Sequence, residues 1–172
     1  MKRIILDTNI YGVIAMDEDR SEIVEKIKIS KIIVYGFKTI RGEIRDVPMK
    51  IKIGNKSFRV DLLNLYDNIT VNHSLEFNDK IQMISENYYR AYREFGGIKP
   101  QDEIMSDFII VSAASLNNLD IVVSNDEKSM LIENAIRAYN LINSVIRKRT
   151  PKFINYSNFK RILRGGEPNE LL

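Results

Sequence analysis

The 172-residue sequence contains no cysteine and a single histidine, His73. The first absence removes disulfides, zinc–thiolate sites and thiol nucleophiles together. The second forbids a multi-histidine metal site and makes any Ser-His-Asp hydrolase wholly dependent on His73. No Gly-x-Ser-x-Gly pattern accompanies that residue, which lies in NITVNHSLEF, where a surface or half-buried position between strand and helix is expected. No apolar run approaches ~18 residues and the first ten residues lack a signal-peptide layout, so a cytoplasmic protein without a membrane span is expected. Internal repeats and low-complexity linkers are also missing. Aspartate and glutamate, 23 in all, are the reactive groups left. Any catalysis is expected to use them, alone or holding a hard metal ion.

What is present has ordinary globular proportions. Apolar residues make up 44% and charged residues 28%, and the formal charge of +3 permits an anionic partner without arguing for one. The length suits one domain, placed over residues 1–164, with residues 165–172 as a loose C-terminal tail. RIILD (3–7) reads as a short strand buried on both faces, and KIIVYG as a second. Helices are expected over 17–29, with Asp17 to Asp19 in the first turn, and over 37–47, closed by Pro48. MKIKIGNKSFRV alternates around Gly54-Asn55 and reads either as a hairpin or as a loop leading into a helical SFRVDLLNLYDN. NITVN reads as a strand, 76–96 and 101–118 as helices, and LDIVVSND as a strand emptying into a polar turn. A helix over about 129–149, a strand KFINYS and a terminal helical turn or two complete the pattern. Strands alternating with helices predict an α/β domain around a mostly parallel sheet.

Two of these strands share one design. RIIL runs into Asp7, Thr8 and Asn9, and DIVV runs into Ser124, Asn125 and Asp126. Either aspartate alone is an ordinary turn residue. Together they matter, because parallel sheets bind ligands beyond the carboxyl ends of their strands, at a topological switch point. A third carboxylate, Asp107, shares a helical face with Ile104, Ile110, Val111 and Ala114. An ionised carboxylate among such neighbours is costly unless it is paired or binds a metal, so a buried ion pair or an exposed strip is the alternative. Glu43 flanks the apolar stripe formed by Phe37, Ile40, Ile44 and Val47, while Asp46 points further towards solvent. In YYRAYREF, Tyr88, Tyr92 and Phe95 fall on one face, which favours core packing or a dimer seam over base stacking.

LDTN with Asp7, RGEI with Glu43, DFIIVSAA with Asp107 and VVSND with Asp126 resemble the PIN-domain family, in particular its VapC-like members. The pattern spans residues 3–130. The resemblance implies a three-layer α/β/α sandwich around a short, mostly parallel sheet. It implies an endoribonuclease in which Asp7, Glu43, Asp107 and Asp126 are catalytic and hold Mg²⁺ or Mn²⁺, with Thr8, Asn9, Ser124 and Asn125 orienting them or bound water. RNA is then the substrate, and an antitoxin protein and a homodimer are the partners to look for. The chemistry is consistent: converging carboxylates repel, a divalent cation relieves that repulsion, and all-oxygen ligation favours Mg²⁺, Mn²⁺ or Ca²⁺ over zinc.

The chain departs from the compact toxin pattern where residues 48–66 lengthen the link after the second helix and where the helix near 129–148 runs long. Two rivals stand beside the ribonuclease. Phosphotransfer through an aspartyl intermediate wants a second Asp two residues after the first, where this chain has Asn9. The other rival is a non-catalytic PIN-like module that binds RNA or protein.

Overall fold

The computed structural model describes residues 1–166; most of the tail expected at 165–172 lies outside the described residues. Strand β1 (Lys2–Leu6) is followed by α1 (Thr8–Met16), α2 (Arg20–Ile29), β2 (Ile32–Phe37) and α3 (Lys38–Asp46). Next come the two-residue strands β3 (Lys52–Ile53) and β4 (Lys56–Ser57), α4 (Phe58–Thr70), β5 (Ser74–Leu75), α5 (Asp79–Glu94) and α6 (Gln101–Leu116). The chain closes with β6 (Ile121–Val123), α7 (Glu133–Val145), β7 (Lys152–Ile154) and α8 (Tyr156–Leu163).

The central sheet has the order β5-β2-β1-β6-β7, and every neighbouring pair in it is parallel. Parallel strands need helical crossovers that cover both faces, which explains why Ile4, Ile5 and Leu6 of β1 are fully buried despite their alternating directions. The result is the three-layer α/β/α arrangement. Five rings seal α5, α6 and α7 onto the sheet. Tyr88 and Tyr92 of α5, Phe108 of α6 and Tyr139 of α7 meet edge-on, with centroids 5.0 Å apart for Tyr88–Tyr139 and 5.6 Å for Phe108–Tyr139. Phe153 of β7 stacks on Tyr139. The aromatic run of α5 is therefore core, with Arg90 and Arg93 left in solvent. Beneath the rings, Asn143 accepts from the Tyr88 hydroxyl at 2.6 Å and donates to Ser115 and Thr150 at 3.0 Å each.

Three expectations are corrected. NITVN is no strand: Leu62, Leu65, Tyr66 and Ile69 bury one stripe of α4, and that packing carries the helix through Thr70 despite its β-branched end. The second helix begins at Arg20 rather than Asp17, because residues 8–16 already form α1 and Asp17 ends it. Asp17 instead accepts from Tyr156 and Lys160 of α8, pinning the C-terminal helix to the α1–α2 junction. The helix expected over 129–149 shrinks to α7, since Met130 and Leu131 belong to a turn and Arg147 sits at φ +55°. Arg147 to Arg149 thus lie beyond it, and Arg149 pairs with Asp120 at 2.6 Å. The two readings of residues 49–68 are both realised, as a hairpin running directly into α4. Gly54, at φ +59°, supplies the left-handed residue its turn needs. His73 is exposed beside Tyr35.

Among the described residues no helix is long and apolar enough to cross a membrane.

Candidate active site

Strand order alone locates the switch point. From β1 the chain crosses to β2 on one side, and its later strands β6 and β7 return on the other. The order therefore reverses between β1 and β6, which pair in register as Leu6 with Val123. The residues that follow those two are Asp7 and Ser124, at the carboxyl edge where parallel sheets bind ligands.

Asp7 extends the ladder by one bond, its amide donating to Val123 at 2.9 Å, and then caps α1 by accepting from the Thr8 amide at 2.7 Å. Its other oxygen accepts from Asn9 Nδ2 and from Ser124 Oγ, both at 2.6 Å. The bland role of a turn residue and the placement of a carboxylate at the carboxyl edge of the sheet are thus both realised in one side chain. Burial lifts its pKa from 3.8 to about 6; the bonds from Ser124 and Thr8 oppose the rise, while the charges of Glu43 and Asp126 add to it.

Ser124, itself fully buried, also accepts from the Asp126 amide at 3.0 Å, so one hydroxyl couples two acids. Asp126 is fixed by its own turn, accepting from the amides of Lys128 and Ser129 at 2.9 Å and from the Ser129 hydroxyl at 2.6 Å. Glu43 reaches across from α3 and is held at both oxygens by hydroxyls, Thr8 from α1 and Ser106 from α6. Asn125 turns away: its side chain accepts from the Tyr156 amide, and only its own amide donates to Asn9. Ser106 and Ser129 were absent from the sequence-based set. The first is next to Asp107, and the second stands three residues after Asp126, the spacing of a side-chain-closed turn.

Asp107 differs from the other three. The residue as a whole is half-buried on α6, next to the buried Phe108, and its Oδ2 is buried with no hydrogen-bond partner. No ion pair involving it occurs among the described residues, and it is not part of an exposed strip. Burial raises its pKa from 3.8 to about 7, and the charges of Asp7, Asp126 and Glu43 add to the rise. The Ser129 hydroxyl, which donates to Asp126, is the main influence against the rise, outweighing any one of those charges.

All four acids thus belong to one electrostatic cluster. As they stand, no three or more Asp, Glu or His side chains among the described residues are arranged to hold a metal ion. The chemistry of the set nonetheless fits a hard cation. The donors are all oxygen, two carboxyls are held towards the protonated state by burial and mutual repulsion, and one buried oxygen lacks any partner.

No protein-family model matches the chain, and no curated protein sequence matches it. Similarity emerges in three dimensions. A chain from the crystal structure of VapBC2 from Rickettsia felis, bound to a DNA fragment from their promoter, aligns with a TM-score of 0.53. The match covers 90% of this chain and 98% of that chain at 15% sequence identity. Likeness at that identity speaks for the α/β fold.

Proposed function

We propose that the chain is a PIN-like, divalent-metal-dependent endoribonuclease, a single domain over residues 1–164 that hydrolyses RNA phosphodiester bonds. Asp7, Glu43, Asp107 and Asp126 are the residues that would hold Mg²⁺ or Mn²⁺. The chemistry such a cation supplies when bound is activation of water for in-line attack and charge for the leaving oxygen. The chain's own groups prepare the place. Ser124 and Asn9 aim Asp7, Thr8 and Ser106 aim Glu43, and Ser129 aims Asp126. Asp107 and Asp7 retain protons into the range of 6 to 7, so proton and cation compete for the same oxygens.

The observation that carries this reading is the unpartnered buried Oδ2 of Asp107 beside a second raised carboxyl at the sheet's switch point. The reading includes a place in a toxin–antitoxin pair, with an antitoxin protein as partner and assembly as a homodimer; a fold shared with a chain of a VapBC2 complex is consistent with a protein partner. A non-catalytic RNA- or protein-binding module is the second reading, favoured by Glu43, whose two oxygens are both engaged by hydroxyls.

The test is incubation with labelled single-stranded RNA and Mg²⁺ or Mn²⁺, with and without EDTA, beside Asp7→Asn. Cleavage that needs the cation and collapses by about a hundred-fold or more in the variant is expected. Metal-independent cleavage, or full activity in Asp7→Asn, overturns the mechanism. Binding without cleavage favours the second reading, and an acid-labile phosphoenzyme formed from a phosphate donor favours aspartyl phosphotransfer.

A further inference from the structure

The hairpin β3–β4 takes no part in the central sheet and adds nothing to the core. Residues 48–56 are exposed throughout, including three large apolar side chains, Met49, Ile51 and Ile53. Lysines alternate with them as Met-Lys-Ile-Lys-Ile over 49–53, and Lys56 follows on β4. Between Arg45 and Arg59 the chain carries five cations against one carboxylate, Asp46, a surplus of four in a molecule whose whole charge is +3. Lys50 and Lys52 form no ion pair among the described residues. The contacts the arm makes within the chain are at its base, from Ser57 to Met49 and from Phe58 to Ile51, and its exposed Ile and Met side chains beside these unpaired lysines are the surface a ligand would cover.

The base of the arm sits on the helices that carry the acidic cluster. It leaves the end of α3, which holds Glu43, and the Arg59 guanidinium donates back to the Arg45 carbonyl at 2.6 Å. The Phe58 amide closes the base by donating to Ile51 at 2.9 Å. The Phe58 ring lies against α1 at Gly12, one turn beyond Thr8, the residue that holds Glu43.

We infer that residues 49–56 are a substrate arm that seats unpaired RNA, its lysines on phosphates and its Met and Ile side chains on base faces. Charge complementarity selects a polyanion. The alternation selects an unpaired strand, since a duplex hides the base faces that the apolar side chains would cover. The inference deepens the ribonuclease reading and rests on it for the strand's destination.

It is tested with the full chain in EDTA, where binding is read without cleavage. Fluorescence anisotropy of a labelled single-stranded RNA is followed across a salt series for the parent and for Lys50→Gln/Lys52→Gln/Lys56→Gln. The expected result is about ten-fold weaker binding, with a slope of log affinity against log salt shallower by about 2, for three lost phosphate contacts at roughly 0.7 each. A duplex of the same sequence should bind more weakly than the single strand, and Met49→Ser/Ile51→Ser should lessen that preference. Thermal melting checks that both variants are folded. Unchanged affinity and salt slope in the triple variant overturn the inference, even if the parent cleaves RNA or the arm proves to engage a protein. Failure of the parent to bind RNA overturns it too. Arm-dependent binding by a parent that cleaves no RNA upholds the arm while the hydrolytic reading fails.

Discussion

At the scale of single residues, the acidic cluster is a place where folding and chemistry pull in opposite directions. Asp107 keeps its proton to about pH 7 when folded and would lose it near 3.8 when unfolded. Between those values the folded protein binds a proton that the unfolded chain has released, so its contribution to stability is full near pH 4 and is lost as the pH rises through 7. In EDTA at pH 8, Asp107→Asn should therefore melt above the parent, by the equivalent of about 1–2 kcal/mol, because a buried charge has gone. That gap should close near pH 4, and an equal gap at both pH values in differential scanning fluorimetry would contradict the assigned burial. Adding Mn²⁺ should reverse the order, raising the parent's melting temperature more at pH 8 than at pH 5.5 and leaving Asp107→Asn nearly unmoved. Ser124 makes a different case. Its hydroxyl lowers the Asp7 carboxyl, so Ser124→Ala should push that group further up. The acid limb of the cleavage–pH profile should then move by about one unit to higher pH, with activity recovering at alkaline pH.

At the scale of elements, helices α5, α6 and α7 are joined by a polar knot beneath an aromatic cluster. Asn143 bonds Tyr88, Ser115 and Thr150 at once, and is itself buried. Asn143→Leu strands the buried Tyr88 and Ser115 hydroxyls, so it should cost about 2–4 kcal/mol in urea denaturation. Phe108→Ala removes the ring that Tyr88, Tyr92 and Tyr139 share and should cost about 3–5 kcal/mol. Asp107 follows Ser106 on the same helix as Phe108, so loosening α6 should also lower cleavage below the melting transition, whereas a purely local role for Phe108 would leave the rate unchanged.

At the scale of the molecule, the parallel sheet was legible because its central strands are apolar on both faces and end in polar residues. The long helices α5 and α6 were legible from their stripes. Helix α1 was not: Gly12 and the β-branched Thr8, Ile10, Val13 and Ile14 carry a weak helical signal, and burial of Ile10, Tyr11 and Ile14 decides its form. The end of α4 misled for the same reason, local β-propensity giving way to packing. Asp7, Asp107 and Asp126 stand out in the sequence because aspartates after apolar strands and inside an apolar helix conflict with their surroundings, whereas Glu43, on the flank of its stripe, enters only through the family resemblance. Ser106 and Ser129 conflict with nothing, and only the folded chain reveals which carboxylates their hydroxyls meet. The arm stands apart from all of this. Its strands pair only with each other, and the Phe58–Ile51 bond brings its two ends together, so excising residues 52–55 should change stability by no more than about 1 kcal/mol. A segment so loosely owed to the core is exchangeable. Its length and charge can be altered without retuning a single buried side chain, which makes it the part of this molecule where a new binding preference could be engineered while the acidic cluster stays as it is.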